Sequence, residues 1–133
     1  MVLAVLTPFP APRHAQAKDL HRTKTETVFA AQVLRILDGD TFEVQIQLLP
    51  GLSQITHIRI RDFDAPELHA ACATQREQAE LARTMLTNVL SGQRILLTDI
   101  QIDKYGGRYD AILYLNDQRF DPIALGIPQK SPC

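Results

Sequence analysis

The sequence predicts a mainly β, α+β fold: a five-stranded barrel with one main helix between strands 3 and 4. Three observations carry this expectation. Several short segments alternate apolar and polar residues, turn signals such as Asp38-Gly39 and Pro50-Gly51 separate them, and residues 74–90 carry an apolar stripe at helical spacing. At 133 residues the chain has the length of one domain, long enough to bury a core.

The elements follow in order. Glu26 to Leu37 is rich in Val, Ile, Leu and Ala and reads as the first strand. After the Asp38-Gly39 hairpin signal, Phe42, Val44, Ile46 and Leu48 alternate with Glu43, Gln45 and Gln47. Beyond Pro50-Gly51, Ile58 and Ile60 alternate with His57, Arg59 and Arg61 as a third strand. Thr74 and Glu77 have capping-box spacing, Leu81, Met85 and Val89 with Ala82, Leu86 and Leu90 form the stripe, and Ser91-Gly92 ends the helix. Strands return at Arg94 to Asp103 and at Arg108 to Leu115, with Asn116-Asp117 as the last turn. Three strands, a helix and two strands is the order of an OB-type barrel.

Composition narrows the class. With 45% hydrophobic and 22% charged residues the chain is globular, and no apolar run reaches the ~18 residues of a membrane span. Fourteen basic against fifteen acidic residues exclude a non-specific polycation, so a nucleic-acid partner needs local charge or a bound cation. Two cysteines cannot build a Cys-rich zinc site. They are either unrelated thiols or a single bridge. The histidines, His14, His21, His57 and His69, lack metal-ligand spacing and read as surface residues.

Residues 1–24 stand apart from the predicted domain, 25–133. An apolar run, Val2 to Leu6, precedes three prolines and the small-x-small triplet Ala15-Gln16-Ala17. This segment reads either as a cleaved leader or as a proline-punctuated tail. The first reading places the protein in a secreted or periplasmic setting, the second in the cytoplasm.

The chemistry-bearing residues lie in turns. Asp38-Gly39-Asp40-Thr41 could be a plain hairpin, but Asp40 is in phase with Phe42 and Val44, which directs its carboxylate toward the barrel mouth. An ionised group so placed needs a metal or hydrogen-bond donors. Strand pairing would bring a second acidic turn, Asp64 to Glu67, beside it. Two charges ~5 Å apart repel by roughly 3 kcal/mol at an effective dielectric near 20, so converging carboxylates favour a hard cation such as Ca²⁺. In Asp103-Lys104-Tyr105-Gly106-Gly107-Arg108, paired glycines allow a tight loop that presents Arg108 to a phosphate.

Together these three pieces resemble the staphylococcal nuclease (thermonuclease-like) family. The match runs through Val33 to Thr41, Arg59 to Glu67 with its Asp-Ala-Pro-Glu, and Asp103 to Arg108, in order and separation. The resemblance implies a Ca²⁺-dependent endonuclease that hydrolyses single-stranded DNA or RNA toward 3′-phosphate ends, as a monomer. It implies Asp40, Asp64 and the Ala65 carbonyl as metal ligands, although the family often has Thr where this chain has Ala65. Glu67 would be the general base, Arg59 and Arg108 the phosphate-neutralising pair, Lys104 and Tyr105 substrate contacts, and Asp38 a neighbour of the ion. Gly107 is an insertion relative to the shortest form of the loop, and the family's longer C-terminal helix is missing. The resemblance extends to bacterial relatives with cysteines just after the acidic turn and at the terminus. That favours a Cys72–Cys133 disulfide and an oxidising compartment.

Two other readings compete. A catalytically weak OB-fold module binding nucleic acid or protein would not need Glu67. A structural Ca²⁺-binding protein would not place Arg59 and Arg108 against its ion.

Overall fold

The computed structural model describes residues 27–133, so the leader-or-tail segment lies outside the described residues. Strands β1 (Phe29–Asp38), β2 (Thr41–Leu49) and β3 (Leu52–Ile60) form an antiparallel meander. Helix α1 (Ala73–Leu90) follows, then β4 (Arg94–Ile102), β5 (Tyr109–Leu115) and a two-residue β6 (Gln118–Arg119). The sheet runs β3-β2-β1-β4-β5-β6 and closes through a parallel β3–β5 pairing, in which Arg59 lies opposite Asp110. The result is a closed, mixed five-stranded barrel with one helix between strands 3 and 4. Closure removes the free edges that β3 and β5 would otherwise expose.

The alternation in the strands becomes the core. Val33, Phe42, Val44, Ile58, Leu97 and Leu113 are buried between the strands, and Leu86 and Leu90 of α1 cap them. On α1 the buried row is Ala79, Ala82, Leu86 and Leu90. Met85 and Val89 pack partly against the core, but Leu81, expected in the stripe, is 46% exposed. Small Ala79 and Ala82 let the first half of the helix approach the barrel closely, which turns the face carrying Leu81 outward.

Local differences from the expected pattern have identifiable causes. No capping box forms: the N-cap is Cys72, without a side-chain cap bond, and Thr74 falls inside the first turn. The Cys72 sulfur is engaged in a disulfide with Cys133. The third strand starts at Leu52, because the tight turn at Pro50-Gly51 pairs Leu52 with Leu49. Asn116 and Asp117 both take positive φ, 52° and 65°. That backbone suits a two-residue hairpin, which adds the unanticipated β6.

Past β6, Asp121 Oδ1 accepts from the Ile123 and Ala124 N–H groups, and the Ile127 N–H returns to the Pro122 carbonyl, closing a short helical turn. Ile127 is buried, and residues 128–133 then run without secondary structure across the loop between β3 and α1.

Candidate active site

The β1–β2 turn carries Asp38 and Asp40, and its position depends on Gly39. A Cβ built on Gly39 would stand 2.7 Å from the Ala65 Cβ and 2.7 Å from the Ala82 Cβ. The turn is therefore wedged between the β3–α1 loop and α1 with no room for a side chain. This contact joins the two acidic turns.

Asp40 is only 8% exposed. Its Oδ2 accepts from the Ala65 N–H at 2.9 Å and its Oδ1 from the Thr41 hydroxyl at 2.8 Å. Burial, with the neighbouring Asp38 carboxylate as a further cause, pushes its pKa up from 3.8 to about 6; the Ala65 and Thr41 bonds only partly offset this. Asp38 Oδ1 accepts from the Asp40 N–H at 3.1 Å, so two carboxylates face one small region.

The β3–α1 loop supplies the second acidic turn. Phe63, Ala65 and Pro66 are buried and anchor it, whereas Asp64 and Glu67 are exposed. Arg59, near the end of β3, links the turns: its Nε is 3.9 Å from Asp40 Oδ2 and its Nη2 donates to Asp64 Oδ1. Arg108 comes from the other side. Its Nε donates to Asp103 Oδ2 at 2.6 Å and its Nη1 approaches the Thr41 hydroxyl at 3.4 Å. Burial alone would lower the Arg108 pKa, but Asp103 raises it; the same bond holds the Asp103 carboxyl below its ordinary value.

Between Asp103 and Arg108 the loop turns through Gly106 and Gly107, at φ 74° and 75°. Glycine, lacking a Cβ, takes two consecutive left-handed conformations without steric cost. The extra Gly107 is thus compatible with a closed loop, and Arg108 still reaches Thr41. Lys104 and Tyr105 project at its tip, the ammonium 5.0 Å from the ring centroid and the ring 76% exposed.

Glu67 accepts a hydrogen bond from Lys130 Nζ at 3.0 Å, and the Lys130 N–H donates to the Asp64 carbonyl at 2.8 Å. Gln75 Nε2 also donates to the Ser131 carbonyl, and the Cys72–Cys133 disulfide closes the strap.

The structure thus gathers Asp38, Asp40, Asp64, Ala65, Arg59 and, through Thr41, Arg108. Glu67 belongs to the same loop, and Lys104 and Tyr105 to the loop based on Asp103 and Arg108. Sequence reasoning did not assign roles to Asp103, Thr41 or Lys130. Asp103 and Thr41 stood inside the quoted motifs, whereas nothing local to Lys130 signals its contact with residues more than 60 positions away. His57 is half-buried and lies 3.2 Å from Glu43, His69 is exposed, and His14 and His21 lie outside the described residues.

Among the described residues no three of the His, Cys, Asp and Glu side chains form a ready metal cage. The donors that do meet are all oxygens. The Asp38 and Asp40 carboxylates face one small region, with Arg59 Nε 3.9 Å from Asp40 Oδ2. That donor set suits a hard cation completing its shell with water, and does not suit zinc or a softer metal. A groove of about 760 Å³ across β1, β2, β4 and β5 is lined by none of these residues.

The chain matches no family profile. It is 33% identical over 78 residues to a micrococcal nuclease of Shigella flexneri, covering 59% of this chain and 38% of that protein. It is 32% identical over 75 residues to the protein ParB of Escherichia coli, covering 56% and 36%. The chain therefore spans less than two-fifths of the length of these relatives. The similarity supports a nuclease-like relationship.

Proposed function

We propose that this chain is a Ca²⁺-dependent phosphodiesterase hydrolysing single-stranded DNA or RNA. The observation that carries the reading is the approach of two guanidinium groups, Arg59 and Arg108, to one buried acidic turn at Asp40-Thr41. Two arginines held by carboxylates at one acidic turn match the charge and the planar donor geometry of a phosphodiester.

Asp40, Asp64 and the Ala65 carbonyl are the groups that would hold the ion. When bound, Ca²⁺ neutralises this acidic cluster and polarises a phosphoryl oxygen. Glu67 orients a water molecule and accepts its proton as the oxygen attacks phosphorus; the bond to the opposite 5′ oxygen breaks, and that oxygen takes a proton from solvent water, leaving a 3′-phosphate and a 5′-hydroxyl. Arg59 and Arg108 donate to the phosphoryl oxygens as negative charge grows on them. Removing either arginine costs on the order of 3 kcal/mol of transition-state stabilisation, by comparison with single oxyanion donors. Lys104 and Tyr105 contact the adjoining nucleotide, the lysine through phosphate and the ring by stacking.

Among the described residues no helix is long and apolar enough to cross a membrane. A bridged Cys72–Cys133 pair belongs with a secreted or periplasmic setting. The test is incubation with a single-stranded oligonucleotide in calcium and in chelator. Calcium-dependent shortening supports the reading. Retention of intact oligonucleotide by the protein would instead identify a binding module.

A further inference from the structure

The C-terminal strap makes a contact that the nuclease reading does not need. Glu67 sits on a loop without regular secondary structure, its side chain is 65% exposed, and Lys130 Nζ is its one side-chain partner among the described residues. Lys130 is in turn held by its own main chain, through the N–H bond to the Asp64 carbonyl. Beyond it the strap is fastened twice more, at Ser131 to Gln75 and at Cys133 to Cys72. One short segment therefore touches the main chain of Asp64 and the side chain of Glu67, three residues apart in the acidic loop.

We propose that Lys130, carried by the disulfide-fastened strap, is a positioning residue that holds Glu67 in its working orientation. The inference rests on the nuclease reading and adds to it a device outside the motifs. An exposed ion pair contributes little to global stability. Its consequence here is orientational. An unrestrained glutamate distributes over several staggered χ1 and χ2 states, of which a base aimed at one water can use few. A partner whose main chain is anchored beside the loop keeps its ammonium within reach of this one carboxylate and favours the rotamers that meet it. The same arrangement makes the base sensitive to redox state. Reduction frees Cys133 and loosens the strap that presents Lys130, while the barrel core is untouched.

The experiment measures kcat and KM on a single-stranded oligonucleotide in calcium. It compares the oxidised chain, the same chain after a phosphine reductant, Lys130→Met and Lys130→Arg, with melting curves for each. The expected result for Lys130→Met is a fall in kcat of roughly three- to tenfold, the share of rotamers lost, with KM and melting temperature unchanged. Lys130→Arg, which also donates to a carboxylate, restores kcat. The reduced chain, still folded at the assay temperature, falls as Lys130→Met does. An unchanged kcat in Lys130→Met, a rise in KM alone, a loss that arginine does not restore, or a reduced chain of full kcat overturns the positioning role and leaves the nuclease reading intact. Failure of the oxidised, unaltered chain to cut at all overturns that reading, and this inference with it.

Discussion

Asp103 accepts a hydrogen bond from Arg108 Nε at 2.6 Å, and the same guanidinium reaches Thr41 with Nη1 at 3.4 Å. Asp103 is 4% exposed and receives the carboxylate-seeking edge of the arginine at the base of the β4–β5 loop. The bond restrains the guanidinium with Nη1 facing the Asp40-Thr41 turn. Replacing Asp103 by Asn keeps the shape and removes the charge. The expected outcome is a fall in kcat of roughly 10- to 100-fold, the range typical of orienting partners one step removed from the reacting groups. Steady-state kinetics of Asp103→Asn on an oligonucleotide check it, and an unchanged kcat contradicts it.

Gly39→Ala tests the wedge between the two acidic turns. The added methyl meets Cβ atoms of Ala65 and Ala82, both fixed to backbone, so the turn, the loop or the helix must shift. Overpacking of this kind costs about 1–3 kcal/mol. Denaturant unfolding should show that loss, and calcium-dependent activity should fall with it, since Asp40 moves with the turn. A variant as stable as the parent would show that the space is not needed.

The pH dependence of stability in calcium-free buffer has two limbs. Asp40 titrates near 6 when folded and at 3.8 when unfolded, so at intermediate pH the folded chain keeps a proton the unfolded chain has lost. The contribution of this group to stability is therefore complete below 3.8 and lost as pH rises through about 6, on the order of 3 kcal/mol in all. Glu43 and Asp103 are shifted downward, chiefly by hydrogen bonds from Arg35 and Arg108. Their stabilisation is present above ordinary carboxylate values and disappears as pH falls below them. Melting temperature should peak where the two limbs cross, near the ordinary carboxylate values at about pH 4, and decline from there to about pH 6. Asp40→Asn should abolish the decline above the peak, and a decline that persists in that variant contradicts the assignment.

Removing the bridge with the Cys72→Ser, Cys133→Ser pair should destabilise the chain without unfolding it. The bridge spans 61 positions, for which the chain-entropy relation gives about 4 kcal/mol. Urea unfolding of the pair against the oxidised parent measures the difference. Equal midpoints would show that the tail is held by other contacts alone.

Much of the barrel was legible because its strands obey a strict period: Phe42, Val44 and Ile46 alternate with polar residues and are buried. Asp38 to Thr41 and Asp103 to Arg108 were legible as motifs because their chemistry is written in adjacent residues. What was not legible arises from contacts between distant segments. Gly39 reads as a turn glycine, but its necessity lies in Ala82, 43 positions away. Lys130 looks like one more tail lysine until the strap carries it to Glu67. Thr74 and Glu77 have the spacing of a cap, yet Cys72 takes the N-cap position and is tied to the tail.

The proposed role of Glu67 is to activate water for attack on a phosphodiester beside Arg59 and Arg108. Its most direct test is the initial rate of calcium-dependent cleavage of a single-stranded oligonucleotide by the oxidised chain and by Glu67→Gln, at matched melting temperature. Loss of a positioned general base should slow cleavage by roughly 100-fold or more, with oligonucleotide binding retained. Equal rates for the two proteins, or cleavage undiminished by chelator, would contradict the account.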